Sequence, residues 1–342
     1  MRIVLLLPFL LAVGSAWSVT RSLFSSTHNR ADHVAFALIR APEPGDEIRT
    51  QAGRVKVLSF LGKGSYGSVY RAELNGRPVA FKVEKPGSSQ GCFVGKAFAP
   101  PNYLKIEHEV RVLRYMRGVP GFPKVRTFNF VGSHKYYVMD LFDKSLSGLR
   151  KEQAAKRLVT GQLIRLAHQM LDRIESLHKR GLLMYDIHQG NFMLRGPDLY
   201  VIDPGMALPF YNDQLQHVPQ VKSPVTASCK NSHYATRNDM AGRSVSRRDD
   251  LERLIYLLVE LNTGRLPWSD EKDWDRIRVL KGRPPSTICT GDAAWLEPAL
   301  TYVYSLQFDQ EPYYGILRSA FNREVDRLHD AKQLKPLRKS MR

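Results

Sequence analysis

The sequence predicts an α+β fold built as two lobes, a small antiparallel β-sheet lobe carrying one key helix and a larger, mostly α-helical lobe. Two features of the pattern lead to it. Short β-branched and aromatic runs separated by glycine turns fill residues 53–83, the mark of hairpin-connected strands. Beyond residue 141 the apolar residues recur at helical spacing instead. Hydrophobic residues are 43% of the chain and charged residues 25%, a balance that supports a packed core and argues against wholesale disorder.

The elements follow in order. Arg2, the apolar run Ile3 to Val13 and the small residues Gly14, Ser15, Ala16 and Ser18 read as a secretory signal peptide over residues 1–18. The run is short of the roughly 20 residues that a membrane helix needs. An uncleaved membrane anchor or a misplaced start codon are the alternatives. The expected address is therefore secreted or the lumen of the secretory pathway, or the cytoplasm if the signal reading fails, with no transmembrane segment in the mature chain. Cys92, Cys229 and Cys289 are odd in number and widely spaced, so they form neither a disulfide framework nor a zinc pattern. No Asn-x-Ser/Thr acceptor occurs, so the domain itself bears no mark of that route.

Residues 19–52 lack a sustained period and read as a flexible leader. A domain over residues 53–325 follows, with an N-lobe at 53–139, a C-lobe at 143–325 and a basic tail at 326–342. Val55, Val57 and Phe60, then Ser68 to Leu74, then Pro78 to Val83 are three strands, the last two joined by Asn75-Gly76, a strong hairpin signal. Residues 86–102, rich in Gly, Pro and Ser, read as a loop. Ile106, Val110, Leu113 and Met116 form a helical stripe, and Tyr136 to Leu141 a further strand. Leu163 to Leu177 presents one wide apolar face and stops at Gly181, while Leu251 to Leu261 is apolar almost all round and should be buried.

The formal net charge is +18, which favours acidic partners. Basic residues gather at Arg243, Arg247 and Arg248, at Arg276, Arg278, Lys281 and Arg283, and from Lys332 to Arg342. A solvated basic face helped by a phosphate-binding cleft accounts for most of this. An acidic protein substrate fits it, nothing points firmly to nucleic acid, and a monomer is expected.

Four short motifs carry the chemistry. Gly62-Lys63-Gly64-Ser65-Tyr66-Gly67-Ser68-Val69 fills the pattern of a phosphate-covering loop and lies between two strands. A dinucleotide fingerprint needs a helix directly after its glycines, whereas a hairpin of this kind can lay its amides over the phosphates of ATP. Gly62, Gly64 and Gly67 permit that approach, and Val69 would pack on the adenine. Lys82, in Val79-Ala80-Phe81-Lys82, is placed to bridge the α- and β-phosphates. A buried lysine needs a carboxylate partner; Glu109 is the better candidate and Glu107 the runner-up. Asp186 and Asn191 keep the spacing of a catalytic loop, the first accepting a hydroxyl proton and the second holding Mg2+. Asp203, in Asp203-Pro204-Gly205, supplies the main metal carboxylate, and oxygen ligands suit magnesium. Together the four describe a bilobal protein-kinase-like fold that binds ATP and Mg2+.

A narrower resemblance rests on other residues. Ser246-Arg247-Arg248-Asp249-Asp250-Leu251-Glu252 and Gly264-Arg265-Leu266-Pro267-Trp268 are similar to hallmark segments of the casein kinase I family of serine/threonine protein kinases. His233-Tyr234-Ala235-Thr236-Arg237-Asn238, Val138-Met139-Asp140-Leu141 and Ser305-Leu306-Gln307-Phe308-Asp309 resemble three more, and coverage runs from about residue 53 to about residue 325. The resemblance implies that Met139 is a gatekeeper, that Leu141 and Phe142 contact adenine from the hinge, and that Met193 and Ile202 floor its pocket. Leu61 and Ala80 count with them as nucleotide-facing positions, and Asp250 would anchor the catalytic-loop backbone.

The chain departs from that family at four places. Met184-Tyr185-Asp186 replaces His-Arg-Asp, which implies loss of the histidine that props the loop and of the arginine that pairs with an activation-segment phosphate. His188 stands where lysine is expected against the γ-phosphate, and imidazole is largely neutral near pH 7 unless its surroundings favour the proton. Pro204 replaces a phenylalanine and fixes a backbone angle. His233 replaces an arginine that binds acidic or phosphorylated substrate residues, with Arg276 and Arg278 near the other basic position. Three functions follow in order of fit: an active serine/threonine protein kinase with Asp186, Lys82, Glu109 and His188 as its catalytic residues, a pseudokinase that binds nucleotide or partners, and a small-molecule kinase suggested by the Asp186-Ile187-His188-Gln189-Gly190-Asn191 loop.

Overall fold

A computed structural model describes residues 41–64, 67–84, 106–131, 134–153, 155–222 and 233–340. The signal segment at 1–18, the leader up to residue 40, the loop at 86–102, and Ser65, Tyr66, Cys92 and Cys229 lie outside the described residues.

The N-lobe is an antiparallel sheet of β1 (Glu47–Thr50), β2 (Gly53–Lys63), β3 (Gly67–Leu74), β4 (Arg77–Glu84), β5 (Val125–Val131) and β6 (His134–Asp140), in the order β1-β2-β3-β4-β6-β5. Asn75 and Gly76 both take positive φ, 51° and 77°, which is what a two-residue turn matched to the strand twist requires. β1 falls inside the stretch read as a leader. Its four residues pair with β2 from Glu47↔Lys56 to Thr50↔Gly53 and bury Ile48; one apolar residue in four gives no readable period, so the partner strand decides its state.

Helix α1 (Ile106–Tyr115) packs against the sheet. Its stripe meets Ala80, Tyr137 and Met139 through Ile106, Val110 and Leu113. Met116 packs instead into the C-lobe core with Val112 and Phe122, so the helix is fixed to both lobes.

The C-lobe contains β7 (Lys144–Ser145), α2 (Leu146–Glu152), α3 (Thr160–His178), β8 (Leu182–Leu183), β9 (Phe192–Arg195), β10 (Asp198–Val201), a 3-10 turn at Pro204–Met206 and β11 (Leu208–Pro209). After these come α4 (Arg237–Met240), α5 (Arg247–Thr263), α6 (Trp274–Lys281), α7 (Pro285–Ile288), a second 3-10 segment at Gly291–Leu296, α8 (Glu297–Ser305) and α9 (Tyr314–Ser340). Helix α5 is buried almost from end to end, Leu251 to Leu261 included. Gly264 closes it at φ 89°, the left-handed stop that glycine takes without a steric cost. The last helix runs through residue 325 and takes in most of the stretch read as a basic tail. Lys, Arg, Leu and Gln are good helix formers, so a charge run need not be coil. Among the described residues no helix is long and apolar enough to cross a membrane.

Candidate active site

Strand β4 is buried from Val79 to Val83, and this carries Lys82 into the interior between the sheet and α1. Its ammonium donates to both oxygens of Glu109, at 2.9 and 2.7 Å, and lies 3.2 Å from Asp203 Oδ1. Glu107, the other candidate, pairs with Lys135 at 2.9 Å. Tyr137, directly across from Lys82 on β6, donates its hydroxyl to Glu109 Oε1 at 2.5 Å.

Burial alone would lower the pKa of Lys82, but the charges of Asp203 and Glu109 outweigh it and hold the ammonium above its ordinary range. Burial and the Asp203 charge push the Glu109 carboxyl up to about 7, against the pull of Lys82 and Tyr137. Three hydrogen-bond donations converge on Glu109 and favour its carboxylate, which offsets part of that rise without cancelling it.

Asp203 adopts φ 54° and ψ 51°, a left-handed conformation that costs a non-glycine residue about 1–2 kcal/mol. The 3-10 turn begins at Pro204, whose missing N–H is no loss at a helical first position. A Cβ on Gly205 would stand 3.3 Å from Asp203 Oδ1, so glycine there leaves the carboxylate its room. His108, beside Glu109 on α1, is buried and its Nε2 lies 2.8 Å from the Ala207 carbonyl. Burial lowers its pKa to about 4, and the neutral ring donates through Nε2 to that carbonyl. The helix that carries Glu109 is thereby tied to the segment that carries Asp203.

Residues 184 and 185, at the start of the loop read as catalytic, hang from α5. Asp250 Oδ2 accepts from Met184 N at 2.6 Å and Oδ1 from Tyr185 N at 3.0 Å. His178 donates through Nε2 to Asp250 at 3.1 Å and accepts at Nδ1 from the Tyr314 hydroxyl at 2.6 Å. Arg253 stacks 4.6 Å from the centre of the Tyr185 ring and pairs with Asp239 at 2.6 Å. The anchor that the resemblance implied at Asp250 is thus in place on the backbone at 184 and 185, and Met184, where the family has histidine, sinks into the core.

The rest of the Ser246–Glu252 segment works the same way. Asp249 accepts from Thr236 Oγ1 at 2.7 Å and Asn238 Nδ2 at 3.0 Å, and Glu252 from Arg237 N at 2.8 Å. Three carboxylates of one helix turn thus bind the catalytic loop and the 236–238 segment to a single buried element. His233 lies 3.3 Å from Glu260, while Arg276 and Arg278 pair on the surface with Glu271 and Asp275.

Asn191 Nδ2 donates to the Asp186 carbonyl at 3.0 Å, which leaves its amide oxygen as a ligand atom. Ile202 N donates to Asn191 O at 2.9 Å, placing Asn191 and Asp203 on adjacent backbones. One amide oxygen and one carboxylate fit magnesium, which binds through one or two carboxylates and otherwise keeps water and phosphate. His188 accepts at Nδ1 from Gly190 N at 3.0 Å and turns Nε2 toward Asp186 Oδ2 at 3.5 Å. Burial would lower its pKa, but the hydrogen bond and charge of Asp186 and the charge of Asp203 raise it overall.

The positions expected to face a nucleotide are divided between the two lobes. Leu61, Gly62, Gly64, Gly67 and Val69 belong to the β2–β3 hairpin, closed by Gly64 N donating to Gly67 O at 2.8 Å. A Cβ on Gly67 would collide with the Val83 carbonyl at 2.1 Å. Ala80 pairs with Met139 across β4 and β6, and Met193 and Ile202 are half-buried on the C-lobe side. Leu141 and Phe142 lie outside any strand, so the sheet does not use their amides and carbonyls. The Phe142 ring packs on Tyr200 at 4.8 Å, so any contact of this residue with adenine falls to its backbone.

Tyr137, His108, His178 and Arg253 were not anticipated. Tyr137 follows from strand register and the others from long-range packing, neither of which local spacing reveals.

A sequence profile described as "Protein kinase domain" matches residues 55–290. Casein kinase I homolog 1 of Schizosaccharomyces pombe is 30% identical over 292 residues, 80% of this chain and 61% of that protein. Casein kinase I homolog 2 of the same organism is 30% identical over 279 residues, 77% of this chain and 60% of that protein. The chain spans about three fifths of the length of these relatives.

Proposed function

Because the chain belongs to the protein kinase family and is casein kinase I-like within it, we propose that it is an active serine/threonine protein kinase that transfers the γ-phosphate of ATP to protein hydroxyls. The observation that carries this reading is the assembled set of Lys82, Glu109 and Asp203 beside a catalytic loop held in place by Asp250. Phosphoryl transfer depends mainly on positioning and electrostatics, so preorganised charge is the requirement that matters. Lys82 and the β2–β3 hairpin position the phosphates. Asp186 orients the substrate hydroxyl and takes its proton. Asn191 and Asp203 hold magnesium, which when bound neutralises charge on the phosphate oxygens. The departures that favour a pseudokinase leave these groups in place: Pro204 starts a turn without displacing Asp203, and Met184 is held through its backbone.

The test is magnesium-dependent transfer of the ATP γ-phosphate to casein by the purified chain, beside thermal melts with and without ATP. Transfer to serine or threonine supports the reading. ATP-dependent stabilisation with no transfer to casein or to the chain itself sinks it in favour of a nucleotide-binding pseudokinase.

His188 gives a sharper expectation. Its folded pKa is raised, so the stability it contributes is complete below the ordinary histidine value and is lost as pH rises through the folded one. If its cationic form assists the γ-phosphate, kcat/KM declines on the alkaline side through a pKa above the ordinary 6.5. His188→Lys removes that limb up to the lysine range. Identical pH profiles for the two proteins would rule out an electrostatic role for the imidazole.

A further inference from the structure

Along the connector between the lobes, residues 140–143, lies a groove of about 1000 Å³, lined by residues of the β3–β4 hairpin, Arg126 of β5, the connector itself with Leu141 and Phe142, and Arg195 at the end of β9. Four arginines face it, Arg71, Arg77, Arg126 and Arg195, against two aspartates, Asp140 and Asp143. We propose that this groove docks an acidic, extended segment of a partner protein.

The charges in the groove do not cancel. Asp140 is already used, accepting from Arg126 Nη2 at 2.6 Å and from Lys124 N at 2.9 Å. Asp143 accepts from Gly196 N at 2.8 Å. Arg195 lies over the Tyr200 ring at 4.7 Å and the Phe142 ring at 5.7 Å. Arg71 and Arg77 are exposed, and among the described residues no carboxylate comes within ion-pairing distance of either. Two guanidinium forks therefore stand ready for carboxylates, the groups they bind bidentately. The net charge of +18 steers an acidic partner toward the chain before contact.

The shape and the aromatic rings narrow the occupant. A volume at the top of the range for ligand cavities exceeds what one small anion fills and suits several residues of extended chain. Sequence-tolerant binding of single-stranded nucleic acid uses open aromatic faces on which bases stack. Here Phe142 is buried, and Arg195 covers both it and Tyr200. The carboxylates of Asp140 and Asp143 would also repel a continuous phosphate backbone, whereas a peptide can place its acidic side chains beside Arg71 and Arg77 alone. Leu141 and Phe142 are shared with the positions expected to face adenine, but none of the groove arginines belongs to the catalytic set, so charge reversal at Arg71 and Arg77 tests docking by direct binding rather than by phosphate transfer.

The test measures binding of a fluorescein-labelled Glu/Asp-rich peptide to the full chain by fluorescence anisotropy. The double variant Arg71→Glu/Arg77→Glu should raise Kd about tenfold or more, with a steep salt dependence in the wild type. Arg283→Glu/Arg323→Glu, which makes the same charge change elsewhere, and Lys82→Met in the catalytic cleft should bind as the wild type does, with circular dichroism confirming that each variant is folded. An unchanged Kd in the groove variant overturns the proposal. Tighter binding of a single-stranded oligonucleotide through the same arginines overturns it in favour of nucleic acid. Displacement of the peptide by equimolar inorganic phosphate overturns it in favour of a simple anion site.

Discussion

Asp203→Asn is expected to lower kcat for phosphate transfer by about 10³-fold, the scale for losing a preorganised charge at the reacting centre, without unfolding the protein. The second half of that expectation comes from the neighbours. Asp203 stands 3.2 Å from the Lys82 ammonium but adds a like charge beside Glu109, whose pKa rises from 4.5 to about 7 partly for that reason. A carboxyl with a raised folded pKa makes the native state bind more protons, so its contribution to stability falls as pH rises from about 4.5 to 7. The amide removes the repulsion and lowers the folded pKa of Glu109, and Lys82 keeps the partner that accepts it on both oxygens. Melting curves should therefore show the variant gaining stability relative to wild type as pH rises from 5 to 7, while radiolabel transfer is nearly lost. Retention of more than a tenth of the wild-type rate would remove Asp203 from the metal-binding role proposed for it.

What could be read from sequence here was local. The Asn75-Gly76 turn, the glycine hairpin and the stripe of α1 each depend on a few adjacent residues, and each is where local chemistry puts it. The spacing of Asp186 and Asn191 also sets both within one loop, joined by the bond from Asn191 to the Asp186 carbonyl. Contacts made across the chain were readable only where a motif or the family resemblance named both ends, as for Lys82 with Glu109 and Asp250 with the backbone at 184 and 185. Tyr137 reaches Glu109 because β4 and β6 pair in one register, and a shift of one residue would turn the hydroxyl to the other face. His108 carries no local signal, because its acceptor lies 99 positions away. The loop at 184–186 differs from the family in its side chains, yet its amides at 184 and 185 are held by a carboxylate far along the chain. Asp250 was named as the anchor through the family resemblance alone, and its partner His178 lies 72 residues before it.

Asp250→Ala should be the most damaging substitution outside the catalytic set. The side chain is fully buried and accepts from Met184 N, Tyr185 N and His178. Alanine leaves one buried amide, one part-buried amide and an imidazole N–H without an acceptor, and leaves Arg253, 3.5 Å away, with one carboxylate fewer. Breaking a buried charged network from one side costs about 3–5 kcal/mol, which for a domain of this size lowers Tm by on the order of 10 °C. The loss is also local in a way that can be measured. Tyr185 holds φ at 64°, a conformation that persists only while its surroundings enforce it. Without Asp250 the residue should relax, and Asp186 with it. Hydrogen exchange at the amides of 184 and 185 should accelerate strongly in the variant, with kcat falling while the KM for ATP, set mainly by Lys82 and the β2–β3 hairpin, changes little. Asp250→Asn, which keeps one acceptor oxygen but sets an NH2 group against the remaining donors, should fall between alanine and wild type in Tm. If Asp250→Ala melts within about 1 °C of wild type and its 184–185 amides stay protected, the loop is held by something other than this carboxylate.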